Sequence, residues 1–156
     1  MKKFLYLLVL AVLPLALSSC HDDNDLPDVD FHFEFSGASV VDGTIYVVQG
    51  ETFKIESITV TNNEQGKGAM ITGASYYWDG YYLGASIEPP YGFEIEVDDQ
   101  VQAGFHSLEV TAPLYAVDKE VATSLVAFKV KVVEGVDEIP AEGTTGYNVT
   151  PSVSDK

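Results

Sequence analysis

Arginine is absent from this chain, and its 8 lysines face 24 aspartates and glutamates, a formal net charge of −16 over 156 residues. Nucleic-acid binding draws its affinity from cationic contacts to phosphate, so that class of partner is excluded. Anionic lipid headgroups repel such a body too, so no basic patch can hold it to a membrane. Cysteine occurs once, at Cys20, which rules out an intramolecular disulfide and leaves the apolar core to hold the fold. Histidine occurs three times, at His21, His32 and His106. Helical periodicity is missing as well, and no stretch reads as a convincing amphipathic helix.

The apolar run at the start is short. Lys2 and Lys3 precede an apolar span from Phe4 to Leu17, whose 14 residues include Pro14 and lead through Ser18 and Ser19 to Cys20. A membrane-spanning helix needs roughly 20 apolar residues, so this pattern reads as a secretory signal over residues 1–19. Leu17-Ser18-Ser19-Cys20 resembles the lipobox of bacterial lipoproteins. The resemblance implies that Cys20 carries acyl chains and anchors the chain to a membrane; each buried methylene contributes ~0.8 kcal/mol, and stable anchoring needs more than one chain.

Residues 20–28 then form an acidic tether. His21-Asp22-Asp23-Asn24-Asp25 resembles the acidic tract that directs lipoproteins of Bacteroidota to the outer face of the outer membrane. The same tract also has the composition of a solvated, flexible linker, and the two readings are compatible. Without residues 1–19, six lysines remain against the 24 acidic residues, and the formal charge is 6 − 24 = −18.

Residues 29–134 alternate. Phe31, Phe33 and Phe35 share one phase and His32 and Glu34 the other, as a strand with one buried face requires. Phe93, Ile95 and Val97 alternate with Glu94, Glu96 and Asp98, and Val126, Phe128, Val130 and Val132 with Lys129 and Lys131. From Thr52 onward the phase breaks between Phe53/Ile55 and Ile58/Val60, which predicts a bulge near Glu56 and Ser57. Turn residues at Asp42-Gly43, Gly50, Asn62-Asn63, Asp79-Gly80, Pro89-Pro90 and Gly104 punctuate the runs. The pattern predicts an all-β sandwich of about seven strands in a single domain of roughly 105 residues. Residues 135–156, rich in Gly, Pro, Ser and Thr, are expected to be a flexible C-terminal tail.

Within that frame, Ala74 and Tyr76, Asp79-Gly80, Leu83-Gly84, Pro90-Tyr91, and Gly104, His106 and Leu108 together resemble the bacterial immunoglobulin-like modules of surface lipoproteins and carbohydrate-active enzymes. The resemblance covers residues 70–132 well and the first strands loosely, and the stretch PLYAVDKEVATS departs from the usual compact turn. It implies an immunoglobulin-like sandwich, a fold that hosts adhesion, spacer and glycan-binding roles alike.

Catalytic equipment is thin. His21 falls in the tether, His32 on an outward phase, and His106 in phase with Leu108 and Val110, where it reads as a rim histidine hydrogen-bonded to backbone. The carboxylates alternate with apolar residues as solubilising strand faces, so the chain is not expected to be an enzyme. Asp22, Asp23 and Asp25, or Asp98-Asp99, could offer oxygens to calcium, but the EF-hand pattern is missing and neither metal nor cofactor is expected.

The aromatic stretch SYYWDGYYLG, residues 75–84, is the one candidate for binding. A two-residue turn at Asp79-Gly80 would oppose Trp78 to Tyr81, Tyr77 to Tyr82 and Tyr76 to Leu83. Met70, Ala74, Tyr76, Trp78, Tyr81, Leu83 and Ala85 would then face the core, with Tyr81 at the tip partly in solvent. Tyr77 and Tyr82 would stand on the outer face among Gly73, Ser75, Gly84 and Ser86, a flat platform for a sugar ring or a partner loop. The expected function is a lipid-anchored binding module on the outer membrane, facing the exterior, for glycan or adhesion. The alternative is a structural or accessory subunit with an envelope protein as its partner.

Overall fold

The computed structural model describes residues 26–155, which form two packed β-sheets around one core. The chain runs β1 (Val29–Ser36), β2 (Ser39–Val41), β3 (Thr44–Val48), β4 (Thr52–Asn62), β5 (Ala69–Ile71), β6 (Ala74–Trp78), β7 (Tyr81–Ser86), β8 (Phe93–Glu96), β9 (Gly104–Ala116), β10 (Ala122–Val133), β11 (Gly146–Val149) and β12 (Ser152–Asp155). The smaller sheet has the order β11-β1-β4-β8. The larger has β2-β3-β10-β9-β6-β7, with β12 beside β10 and β5 beside β9. All pairings are antiparallel except β3 with β10. Two face-packed sheets sharing a core is the layer arrangement of immunoglobulin and fibronectin type III sandwiches.

Alternation places the core as expected. Phe31, Phe33, Phe35, Ile95, Val97, Val126, Phe128, Val130 and Val132 are all buried, with Phe93 packed at the margin. Aromatic rings lock the sheets together: Phe33 meets Phe128 edge-on at 4.9 Å, Tyr76 stacks on Phe93 at 4.4 Å, and Phe53 lies 6.3 Å from Trp78. The bulge expected in β4 is present, since Glu34 pairs with Ser57 and Phe35 with Ile55, leaving Glu56 as the extra residue. That single insertion returns Ile58 to the core. Both Asp-Gly steps are tight hairpin turns with positive φ at each residue, 48° and 74° at Asp42-Gly43 and 48° and 80° at Asp79-Gly80. This is the geometry that Asp and Gly tolerate best and that matches strand twist.

Two expectations are corrected. The strands number twelve among the described residues rather than about seven, in part because β2, β5, β11 and β12 have only three or four residues each, too few to establish a pattern. Residues 135–155 also depart from the flexible tail expected over 135–156. Thr144 bridges Val40, β11 pairs with β1 through Phe31–Val149 and Phe33–Tyr147, and β12 pairs with β10. The closing segment therefore covers an edge of each sheet, and the sandwich extends past residue 134. Its Gly, Ser and Thr content suggested solvation, but Tyr147, Val149 and Val153 pack against the core and supply the apolar burial that orders it.

Candidate functional site

The hairpin β6–β7 forms an edge of the larger sheet. Trp78 pairs with Tyr81 and Tyr77 with Tyr82, as expected, but Tyr76 pairs with Gly84 and not with Leu83. Leu83 is the extra residue of a bulge. Past it the faces of β7 exchange: Leu83 is 42% exposed and Ala85 is exposed, while Gly84 and Ser86 turn inward. Tyr81, expected at the partly wet margin of the core side, is 78% exposed. Met70, also expected inside, is exposed because it pairs with Tyr115 on the outer face of β9 and leaves Ile71 as the buried residue of β5. The inward position of Gly84 is required by packing, since a Cβ there would lie 2.9 Å from the Phe93 ring that stacks on Tyr76. Burial pushes the Tyr76 hydroxyl up in pKa, and the hydroxyl donates to the carbonyl of Tyr91, whose own hydroxyl donates to the Ile71 carbonyl at 2.7 Å.

Tyr77 and Tyr82 do share the outer face, with ring centroids 5.5 Å apart. Their planes meet at 60°, so they form an edge-to-face pair and not a flat shelf. Tyr82 is 60% exposed, and half-buried Tyr77 packs beside it. Small residues surround them: Ser75 pairs with Ala85 and with Thr111. Depressions of the surface lie elsewhere, one lined by Pro27, Asp28, Glu64, Lys119 and Pro151 and another by Met70, Tyr115 and Val117. The tyrosine pair stands on the outer surface of the sheet.

Beneath the turn lies a network that sequence reasoning missed. His106, 15% exposed, stacks on Trp78 at 5.2 Å. Its Nε2 faces the Gln102 carbonyl at 2.8 Å and its Nδ1 the Asp79 carboxylate at 2.7 Å. The backbone partner expected of a rim histidine is there, and the carboxylate is an addition. Two acceptors ask both ring nitrogens to donate, which only the imidazolium can do. Burial opposes that charge, but the hydrogen bonds the ring donates to Asp79 and to the Gln102 carbonyl outweigh it and raise the His106 pKa above its usual value. Desolvation likewise pushes Asp79 up, and its bonds to His106 and to the Ser107 amide at 2.8 Å pull it down further. Asp79 thus fixes the hairpin tip onto β9 as well as making the turn.

With the geometry in view, the comparisons with known proteins are brief. No protein-family model matches the chain, and no curated protein matches it. Among solved structures it is similar to fibronectin(III)-like modules of Clostridium thermocellum CbhA, with 19% identity and a TM-score of 0.41 over 68% of this chain. The match spans 47% of that structure's length.

The other candidate residues are apart from this hairpin. Cys20 lies outside the described residues, as do the signal and most of the tether. His32 projects from the outer face of the smaller sheet, where it reaches Glu34 at 2.6 Å and Asn148 at 2.7 Å, so the two described histidines stand on different sheets. Among the described residues no group of three or more His, Cys, Asp or Glu side chains is placed to hold a metal ion.

The outer faces differ in charge. The smaller sheet turns Asp30, Glu34, Glu56, Glu94 and Glu96 outward against Lys54. Across the outward positions of β3, β10, β9, β6 and β7, Glu109 is the sole carboxylate among the described residues, against Lys129 and Lys131. Aromatic side chains collect on that second face: Tyr46, Phe105, Tyr77 and Tyr82.

Proposed function

We propose that this chain is a lipid-anchored surface module of the outer membrane that binds glycan, through Cys20 as its anchor and Tyr77 and Tyr82 as its contact with ligand. The observation that carries the binding role is the exposed Tyr82 ring, braced by Tyr77 on a sheet face nearly free of carboxylates. A sugar's apolar face stacks on an aromatic ring, and the ring loses little conformational entropy in binding because a tyrosine has few torsions to fix. The lipobox-like Leu17–Cys20 and the acidic tract after it support anchoring and outward display. Titration calorimetry against neutral oligosaccharides tests the site: binding should occur and should be lost in Tyr77→Ala with Tyr82→Ala. Protease shaving of intact cells tests the location, and protection of the domain would place it in the periplasm.

A protein partner in the envelope has its own support. The edge strand β7 and the residue after it, Tyr81–Ile87, carry no charge, and Tyr81 and Ile87 are each 78% exposed. Proteins often protect such edges with charge or proline as well as bulges, and past the Leu83 bulge this edge has neither charge nor proline to bar a strand from another chain. Crosslinking from β7 to a stable partner in outer-membrane extracts would favour this reading over the glycan one.

A further inference from the structure

Lys129 and Lys131 stand two residues apart on the same face of β10, opposite Ser107 and Phe105 of β9. Both ammonium groups lie over the Phe105 ring, at 4.0 Å and 5.3 Å from its centroid, and the ring itself is 60% exposed. Neither lysine has a carboxylate within ion-pair reach among the described residues, whereas Lys54 and Lys67 do. In a chain with 24 acidic side chains, two adjacent cations without an acidic partner are a conspicuous concentration of the scarce sign. The negative face of the ring offsets their mutual repulsion and holds them side by side.

Tyr77 lies across the same face. From Tyr77 to Lys129 is two strand spacings and two residues along the strand, about 12 Å, through the pairings Tyr77–Glu109, Glu109–Ala127 and Lys129–Ser107. Tyr82, paired with Tyr77 one strand farther out, is about 16 Å from Lys129, a span that several rings of one extended chain would cover. The lysines also sit far from the end where the chain enters the sandwich: Pro27 lies beside Lys119 in the β9–β10 connection, and Lys129 is seven residues, about 23 Å, farther along β10 than Ala122.

We propose that this face takes an acidic glycan, its carboxylate groups held by Lys129 and Lys131 beside Phe105 and a sugar ring farther along the same chain seated on Tyr82. The inference rests on the glycan reading of the tyrosine pair and gives that site its ligand class. Charge complementarity is what selects an acidic ligand: this is the one sheet face where an anion meets two cations and a single carboxylate, while the acidic opposite face would repel it.

The test uses the domain as a folded whole and two probes with one backbone, polygalacturonate and its fully methyl-esterified, uncharged form. Polygalacturonate should bind, more weakly at higher salt. Lys129→Gln with Lys131→Gln should weaken it roughly tenfold or more, as loss of charge-assisted contacts does, with an unchanged thermal melt. Tyr77→Ala with Tyr82→Ala should weaken it as well. Equal affinity for the two polymers, or indifference to the lysine changes, would overturn the acidic-ligand inference while leaving a tyrosine-dependent glycan site standing. Failure of both polymers and of neutral oligosaccharides to bind would remove both. Binding of phosphatidylcholine vesicles containing phosphatidylglycerol that depends on Lys129 and Lys131, with no binding of polygalacturonate, would reassign the lysines to a lipid surface and also overturn it.

Discussion

Gly84→Ala sets two known effects against each other. In a strand, replacing glycine by alanine removes freedom from the unfolded chain and by itself stabilises by ~0.4–1 kcal/mol where the backbone is compatible. Gly84 is not among the residues with positive φ, so the backbone is no obstacle. Packing is the obstacle: the new Cβ would lie 2.9 and 3.0 Å from two atoms of the Phe93 ring. That ring stacks on Tyr76 with an angle of 14° between planes, and Tyr76 is fully buried and hydrogen-bonded through its hydroxyl. Phe93 therefore has little room to retreat, and overpacking of this kind costs about 1–3 kcal/mol. The expected net loss is ~1–2 kcal/mol, which would lower the urea midpoint by roughly 0.5–1 M at slopes usual for a small domain. Adding Phe93→Leu to Gly84→Ala should restore part of the loss, so that the two changes are less than additive by about 0.5 kcal/mol or more. A midpoint that rises in the single variant would refute the reasoning, because it would mean that the Tyr76–Phe93 stack yields freely and does not fix the distance between the sheets.

Stability should fall as pH rises past the ordinary histidine value of 6.5, since a histidine whose folded pKa is raised stabilises fully below its unfolded value and loses that contribution as pH passes through the folded one. His32, raised by its bonds to Glu34 and Asn148, acts in the same direction as His106. Urea midpoints across that rise in pH should flatten in His106→Gln, and an unchanged slope would remove the Asp79–His106 pair as its source. Ending the chain at residue 145 should cost roughly 3 kcal/mol or more through lost burial of Tyr147, Val149 and Val153; full stability by thermal melt would mean that β11 and β12 add nothing. Tyr82→Ala alone should cost about 0.5–1.5 kcal/mol through the lost ring pair, beyond its burial, and a double-mutant cycle with Tyr77→Ala measures it.

Period-two alternation was enough to place β1, β8 and β10, because one buried face imposes the pattern along the whole strand. The bulge at Glu56 was legible too, since two apolar pairs out of phase need an extra residue between them. The bulge at Leu83 was not. In YYLGAS an unbroken register looks better by hydrophobicity, as it buries a leucine and exposes a glycine, and the choice is reversed by Phe93, which comes from the other sheet and needs the space above Gly84. A contact between sheets leaves no trace in the local pattern. The pairing of His106 with Asp79 escaped for the same reason, as 27 residues separate them, and so did the meeting of Lys129 and Lys131 with Phe105 across two strands.

That unread bulge also bears on the site. A bulge strengthens the local twist and re-aims the side chains beside it, and Leu83 directly follows Tyr82. The 60° angle between the Tyr77 and Tyr82 rings arises where twist is concentrated, so the edge-to-face pair belongs to the same accommodation that seats Phe93 over Gly84. If so, Phe93→Leu with Gly84→Leu, which fills the gap from the other side, should disturb the tyrosine pair without touching it. The ring-current shifts of Tyr77 and Tyr82 in proton spectra would then move. Unaltered shifts would separate the outer face from the core beneath it, and the geometry of Tyr82 would have to come from Tyr77 and the Asp79-Gly80 turn alone.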